Sequence, residues 1–236
     1  KGPRTPLSLE QVQQLQGCVG DRVKVHYTPV DHGSFEVVLD AFMASDRMRH
    51  LDAQMHRELF EEITFPDCGD DMQEGIDVRT LELSSKDQRM IRVLQRDDAV
   101  QLLSELDVGH RLGEGTRKSL LASSGIVTVG ISGAGTFEDF VEGGIALEQV
   151  WLTATMLGLR MQPWTPLFGY THSRSELSQM IGPSRCSELY PKGQAALDVL
   201  GLKDHKYVFS FRVHQGSPHT AISERHKPVM RSVGST

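Results

Sequence analysis

Three cysteines in 236 residues, Cys18, Cys68 and Cys186, are too few and too scattered for a disulfide framework or a clustered zinc site. That usage predicts a reduced, intracellular protein. Positive charge is also scarce: 25 Lys and Arg stand against 31 Asp and Glu, a net charge of −6. A protein that grips nucleic acid presents a basic face, so that class is disfavoured. No apolar run approaches the roughly 18 residues of a membrane helix. The opening KGPRTPLSLE lacks the apolar stretch of a signal peptide. The expectation is a cytoplasmic protein with neither a nucleic-acid nor a membrane partner. Several chemical signatures are missing as well. There are ten histidines but no H-E-x-x-H pattern, and His50 and His56 fall on different helix faces. Asp67, Asp70 and Asp71 lack the spacing and closing glutamate of a calcium loop. No G-x-S-x-G elbow occurs, which removes the usual serine hydrolase.

What is present is a chain of 39% apolar residues, enough for a substantial core. Its charge is uneven. Seven acids and no Lys or Arg lie between Glu58 and Glu74, whereas six bases and two acids follow from Lys203 onward. Each run is either a solvated surface or, for the basic tail, a meeting point for a phosphate.

Hydrophobic periodicity orders the chain. Ser8 and Gln11 form a capping box ahead of Leu9, Val12 and Leu15 at helical spacing. Val23, Val25 and Tyr27 alternate as a strand. A helix from Asp31 carries Phe35, Val38, Leu39 and Phe42, and another covers about 51–63. Residues 65–75 read as an acidic loop. Short amphipathic helices follow at about 84–94, 97–106 and 115–123. Ile126–Ile131 has the pattern of a buried strand.

Gly130, Gly133 and Gly135 then make a glycine-rich turn. Its spacing is not that of a dinucleotide fingerprint. A plain tight turn is the favoured reading over a phosphate-holding one. Thr136 caps a long helix, with Glu138 and Asp139 in its first turn. One stripe of this helix holds Phe140, Gly143, Gly144, Leu147, Val150, Trp151, Ala154 and Leu157. A second holds Val141, Ile145, Leu152, Met156 and, at the helix end, Leu159. Two apolar stripes predict a helix buried on most sides, in a core or at a subunit interface. A Pro-Trp-Thr-Pro turn follows at Pro163–Pro166. Helices are predicted at 173–181 and 183–200, the latter broken at Pro191. A strand at 207–213 precedes an extended arm over 215–236. The class is α+β, with few strands and many helices.

The run Ser223-Glu224-Arg225-His226-Lys227-Pro228 is either a solvated basic tail or a clamp on a phosphate. Together these pieces resemble the C-terminal half of the nitroreductase family. The resemblance lies in a long helix ending A-x-x-L-G-L, a Pro-containing turn, two helices, a strand ending in Arg and a tail closing on basic residues and Pro. It covers about residues 125–230. The first half, through Met55-His56-Arg57-Glu58-Leu59, Gly75-Ile76-Asp77 and Leu81–Leu83, is similar to two-repeat nitroreductase-like proteins of actinobacteria. One type of these is fused to an adenylating domain.

The resemblance implies one nitroreductase-like domain over 1–236, a central mixed or antiparallel sheet flanked by helices, and a long interface helix. It implies a homodimer or a pseudo-dimer with a similar repeat. It also implies FMN, with NAD(P)H as a transient donor and hydride transfer to an unknown acceptor. The alternative it leaves is a degenerate, non-catalytic repeat that binds or stores FMN and serves as a dimerisation module. By position, Pro163, Trp164 and Thr165 would lie beside the isoalloxazine, and Arg225, His226 and Lys227 near the phosphate. The family's N-terminal basic cluster would precede Lys1, so the chain reads as a piece of a longer protein.

Overall fold

The computed structural model describes residues 4–66, 75–81, 83–106, 108–164 and 166–216. In chain order the elements are α1 (Leu9–Gly17), β1 (Val23–Pro29), α2 (Phe35–Leu51), α3 (Ala53–Glu62), β2 (Ile63–Thr64) and β3 (Ile76–Asp77). These are followed by α4 (Ser85–Leu94), α5 (Asp97–Glu105), α6 (Glu114–Leu121), β4 (Gly125–Ser132) and α7 (Phe137–Met156). The last are β5 (Leu159–Pro163), α8 (Pro166–Tyr170), α9 (Arg174–Ile181), α10 (Pro183–Leu200) and β6 (His205–Gln215). The class is α+β, as the periodicity predicts. Among the described residues, contacts divide into two compact units, one of residues 4–48 with 109–216 and one of residues 49–108.

The larger unit is built on a four-stranded sheet in the order β1-β4-β6-β5. Every pairing in it is antiparallel. Alternation decides which side chains meet. Val25, Val127, Val129, Leu159, Met161, Phe211 and Val213 line one face and form a single buried cluster with Leu15 of α1 and Val150 and Ala154 of α7. Each fully buried aliphatic side chain of this kind contributes about 1.5–3 kcal/mol. Strand β4 sits between two neighbours and is buried over nearly its whole length, hence its continuous apolar run. The opposite face carries Lys24, His26, Thr128, Ser210 and Arg212. Thr128 and Ser210 are cross-strand partners there, hydrogen-bonded at 3.0 Å. α6 reaches this face, where the Ser119 carbonyl accepts from Arg212. The turn after α10 reaches it too, where the Gly201 carbonyl accepts from Lys24.

Two elements depart from the sequence reading. Helix α10 runs unbroken through Pro191. Pro191 is exposed, but it still removes one backbone hydrogen bond and crowds the carbonyl four residues back, a cost of about 3 kcal/mol that the packing of α10 offsets. After α7 the chain does not go straight into a turn. Gly158, at φ 71°, reverses it into β5, which pairs with β6 from Leu159 to Pro163.

The smaller unit holds a short parallel pair, β2 with β3, and the helices α3, α4 and α5. Ile63, Phe65 and Val78 are its buried cluster. Asp52 caps α3, its carboxylate accepting from the Gln54 and Met55 amides at 3.0 and 3.1 Å. The buried His56 ring uses Nε2 to bond the Leu94 carbonyl at 2.6 Å.

Candidate functional site

The start of α7 shows what the glycine-rich turn does. Thr136 and Asp139 form a capping box. The Asp139 carboxylate accepts from the Gly135 amide at 2.9 Å and the Thr136 amide at 3.0 Å. Arg22 of β1 closes on the same carboxylate and on Glu142. The Thr136 amide first, then the Arg22 guanidinium, holds the Asp139 carboxyl at about 2. A side chain of the protein therefore fills the place that a bound anion would take at this helix start. The turn is the tight, structural kind.

Helix α7 has two unlike faces. Ala146, Val150 and Ala154 are buried on the sheet. The second apolar stripe faces outward: Val141 is 44% exposed, Ile145 58%, Leu152 55% and Met156 86%. Phe137 is also exposed at the helix start, and Phe140, of the first stripe, meets Tyr207 edge-on at 5.1 Å. Gly144 has nothing within 4 Å of the position a Cβ would take. A 20-residue helix with four exposed apolar side chains on its outer face, interrupted by Glu148, is unusual for a surface with no partner.

The corner after α7 is set by β5 and β6. Pro163 ends β5 opposite Phe211 and is exposed. Trp164 carries the ladder one step further, its amide donating to the Ser210 carbonyl at 2.7 Å. The Arg212 guanidinium lies over the Trp164 ring, 5.8 Å from its centre. Arg212 Nε donates to Gln162 Oε1 at 2.6 Å, and Nη1 to the Ser119 carbonyl at 3.2 Å. The corner is thus a half-buried indole, a planar cation and an exposed proline. Thr165, Arg225, His226 and Lys227 lie outside the described residues, so of the six nominated positions the structure brings together Pro163 and Trp164. Arg212 and Gln162 were not nominated. Gln162 lies in a four-residue alternation, Leu159-Arg160-Met161-Gln162, too short to be read as a strand beside a long helix, and Arg212 is brought to it by the pairing of β5 with β6.

A flavin ring would need hydrogen-bond donors at this corner. Pro163 has no N–H, and the Trp164 amide is taken by Ser210. The described part of the corner supplies a cation and a flat ring but no open backbone donor. It does not fit the flavin edge by itself. Among the described residues no group of three or more His, Cys, Asp or Glu could hold a metal ion, and no helix is long and apolar enough to cross a membrane.

The unit with this corner is an α+β layer of helices on an antiparallel sheet. No protein-family model matches the chain. It is 36% identical over 225 residues to an uncharacterized protein of Mycobacterium tuberculosis; the match covers 93% of this chain and 30% of that protein. The chain thus spans about a third of the length of that relative. Among solved structures it is similar to an FMN-dependent nitroreductase from Clostridium difficile, with a TM-score of 0.49 and 9% identity, covering 99% of this chain and 92% of the other. A nitroreductase with bound FMN from Bacteroides fragilis gives a TM-score of 0.48 and 10% identity over 100% and 91% of the two chains. The FMN-dependent nitroreductase NfnB from Mycobacterium smegmatis, in complex with NADPH, gives 0.41 and 12% over 90% and 80%.

Proposed function

We propose that this chain is one half of a nitroreductase-type flavoprotein, joined to a second copy or a similar repeat through the outer face of α7. The observation that carries this reading is the exposed stripe Val141, Ile145, Leu152 and Met156 on a helix whose other face is anchored in the core. Burying such a stripe is favourable in proportion to its apolar area. A seam lined by one long helix from each half suits a planar cofactor held between like halves.

In that assembly bound FMN would supply the redox chemistry, taking hydride from NAD(P)H and passing it to an acceptor. This chain's residues would do the positioning. Trp164 and Arg212 would present a flat face and a fixed positive charge, and Thr165 is the third residue assigned to the ring by sequence position. Arg225, His226 and Lys227 would meet the phosphate.

One observation favours a second reading, a repeat that completes a neighbour's flavin site without reducing anything itself. The Trp164 amide is committed to Ser210, so among the described residues this corner has no open backbone amide to tune a reduced ring.

Two measurements test the proposal. The purified chain, alone and mixed with FMN, is expected to retain flavin with absorption near about 450 nm. Ile145→Glu with Leu152→Lys is expected to lower both the flavin content and the mass measured by light scattering, with unchanged helicity. A chain that stays monomeric and is colourless once free FMN has been removed by gel filtration would refute assembly with a second copy. Bleaching by NADH or NADPH without oxygen supports the oxidoreductase; lasting colour supports the storing repeat.

A further inference from the structure

A second cationic feature lies on the polar face of β5 and β6, apart from the outer face of α7. Arg160 on β5 stands directly opposite His214 on β6, and Gln162 directly opposite Arg212. Leu159, Met161, Phe211 and Val213 point into the core, so these four side chains share the other face. The Arg212–Gln162 hydrogen bond confirms that they do. Directly opposed side chains have Cβ atoms about 5 Å apart, and diagonal ones about 7–8 Å. Arg160, Arg212 and His214 are therefore within reach of one small group.

This arrangement is costly as it stands. The guanidinium groups of Arg160 and Arg212, diagonal to one another across the ladder, repel. Arg160 is half-buried, its Nε is buried without a hydrogen-bond partner, and it forms no ion pair among the described residues. A buried guanidinium nitrogen left unsatisfied is destabilising, and proteins rarely retain one without a use for it. Arg212, in contrast, is already oriented by Gln162 and by the Ser119 carbonyl, so one arm of the cluster is fixed before any ligand arrives. β5 is also the edge of the sheet, with no strand beyond it among the described residues.

We propose that Arg160, Arg212 and His214 form a binding site for a phosphate-type oxyanion. Arg160 supplies the unsatisfied donor, Arg212 the pre-set charge and His214 a third donor across the ladder. The ligand is the phosphoryl group of a phosphomonoester or inorganic phosphate itself. A tetrahedral anion with several acceptor oxygens suits donors converging from two strands. This site is independent of the flavin reading and stands if that reading fails.

Trp164, beneath the Arg212 guanidinium, is a built-in reporter. The chain has two tryptophans, so Trp151→Phe leaves Trp164 as the only one. Titrating that variant with inorganic phosphate at constant ionic strength is expected to give a saturable change in fluorescence that chloride does not give. Adding Arg160→Gln is expected to weaken the response about tenfold or more, while Arg160→Lys retains part of it. A melting temperature measured on each variant separates loss of the site from loss of the fold. Two results overturn the proposal: no saturable response in the parent, or the same response in a folded Arg160→Gln variant. FMN that competes with phosphate where riboflavin does not identifies a flavin phosphoryl group as the source. Binding of phosphate that FMN leaves untouched identifies a free anion.

Discussion

Replacing Gly193 by alanine is expected to destabilise the larger unit by about 2 kcal/mol. A glycine in a helix interior normally gains up to about 1 kcal/mol on changing to alanine. Here the new Cβ would lie 2.6 Å from both the Cβ and the Cγ2 of Thr171, and nearer still to its hydroxyl. Thr171 is fully buried and its hydroxyl donates to the Leu167 carbonyl at 2.8 Å. Rotating the threonine side chain could move Oγ1 and Cγ2 but never Cβ, which the backbone fixes. Relief must come from shifting α10 away from the end of α8, a typical overpacking cost of about 1–3 kcal/mol, here at the upper end. Subtracting the propensity gain leaves the net figure. Gln194 donates to the Thr171 carbonyl at 3.0 Å, so the same shift strains the contact that fixes the exit from the Trp164 corner. Urea unfolding followed by circular dichroism measures the change, provided that the slope is unaltered. A double-mutant cycle sharpens it. Thr171→Gly removes every clashing atom, so the pair Gly193→Ala with Thr171→Gly should couple favourably by about 1–3 kcal/mol. Thr171→Ala keeps the Cβ and should couple less. If Gly193→Ala alone is neutral or stabilising, the close approach of α8 and α10 is wrong.

Asp139→Asn should lower stability at neutral pH. The native carboxyl, held at about 2, contributes stability above the ordinary carboxylate range and loses it as pH falls through that value, so the variant's acid unfolding should depend less on pH. Burial, followed by Lys24, lowers the affinity of His26 and of His205 for protons. Their neutral forms therefore favour the fold above the usual imidazole range and cease to as pH falls. Proton NMR should place both titrations below that of a free imidazole, and His26→Gln should blunt the loss of stability between about pH 7 and 5. Phe211→Ala should cost about 3–5 kcal/mol in denaturant melts. The Phe211 ring is fully buried, 5.1 Å from Trp151 and 5.0 Å from Phe209, and links α7 to the sheet.

Much of this architecture was legible in the residues. Val23–Tyr27, Ile126–Ile131 and Tyr207–Val213 alternate or run apolar as strands do, and each lies within an observed strand. Ser8 and Thr136 cap helices where their spacing puts them, because a hydroxyl at that position answers a free amide. Both apolar stripes of α7 could be counted from periodicity alone. Strand β5 could not be read in the same way. Four residues of alternation between a long helix and a proline are too short to outweigh the helical pattern before them, and only pairing with β6 makes them a strand. Pro191 misled for a related reason: a single proline breaks a helix only when nothing else holds it, and packing against α9 and Thr171 holds α10.

The order of residues determined the class of the fold, the elements and the presence of a helix apolar on two sides, since these follow from local spacing and from what each side chain gains by leaving water. Tertiary structure decided which stripe of that helix stayed outside, that Asp139 fills the anion place at its start, that the Trp164 amide is spent on Ser210, and that Arg160 and Arg212 share one face of adjacent strands. The Trp164–Ser210 bond joins residues 46 apart in the chain and the Gln162–Arg212 bond residues 50 apart, separations that no local pattern encodes.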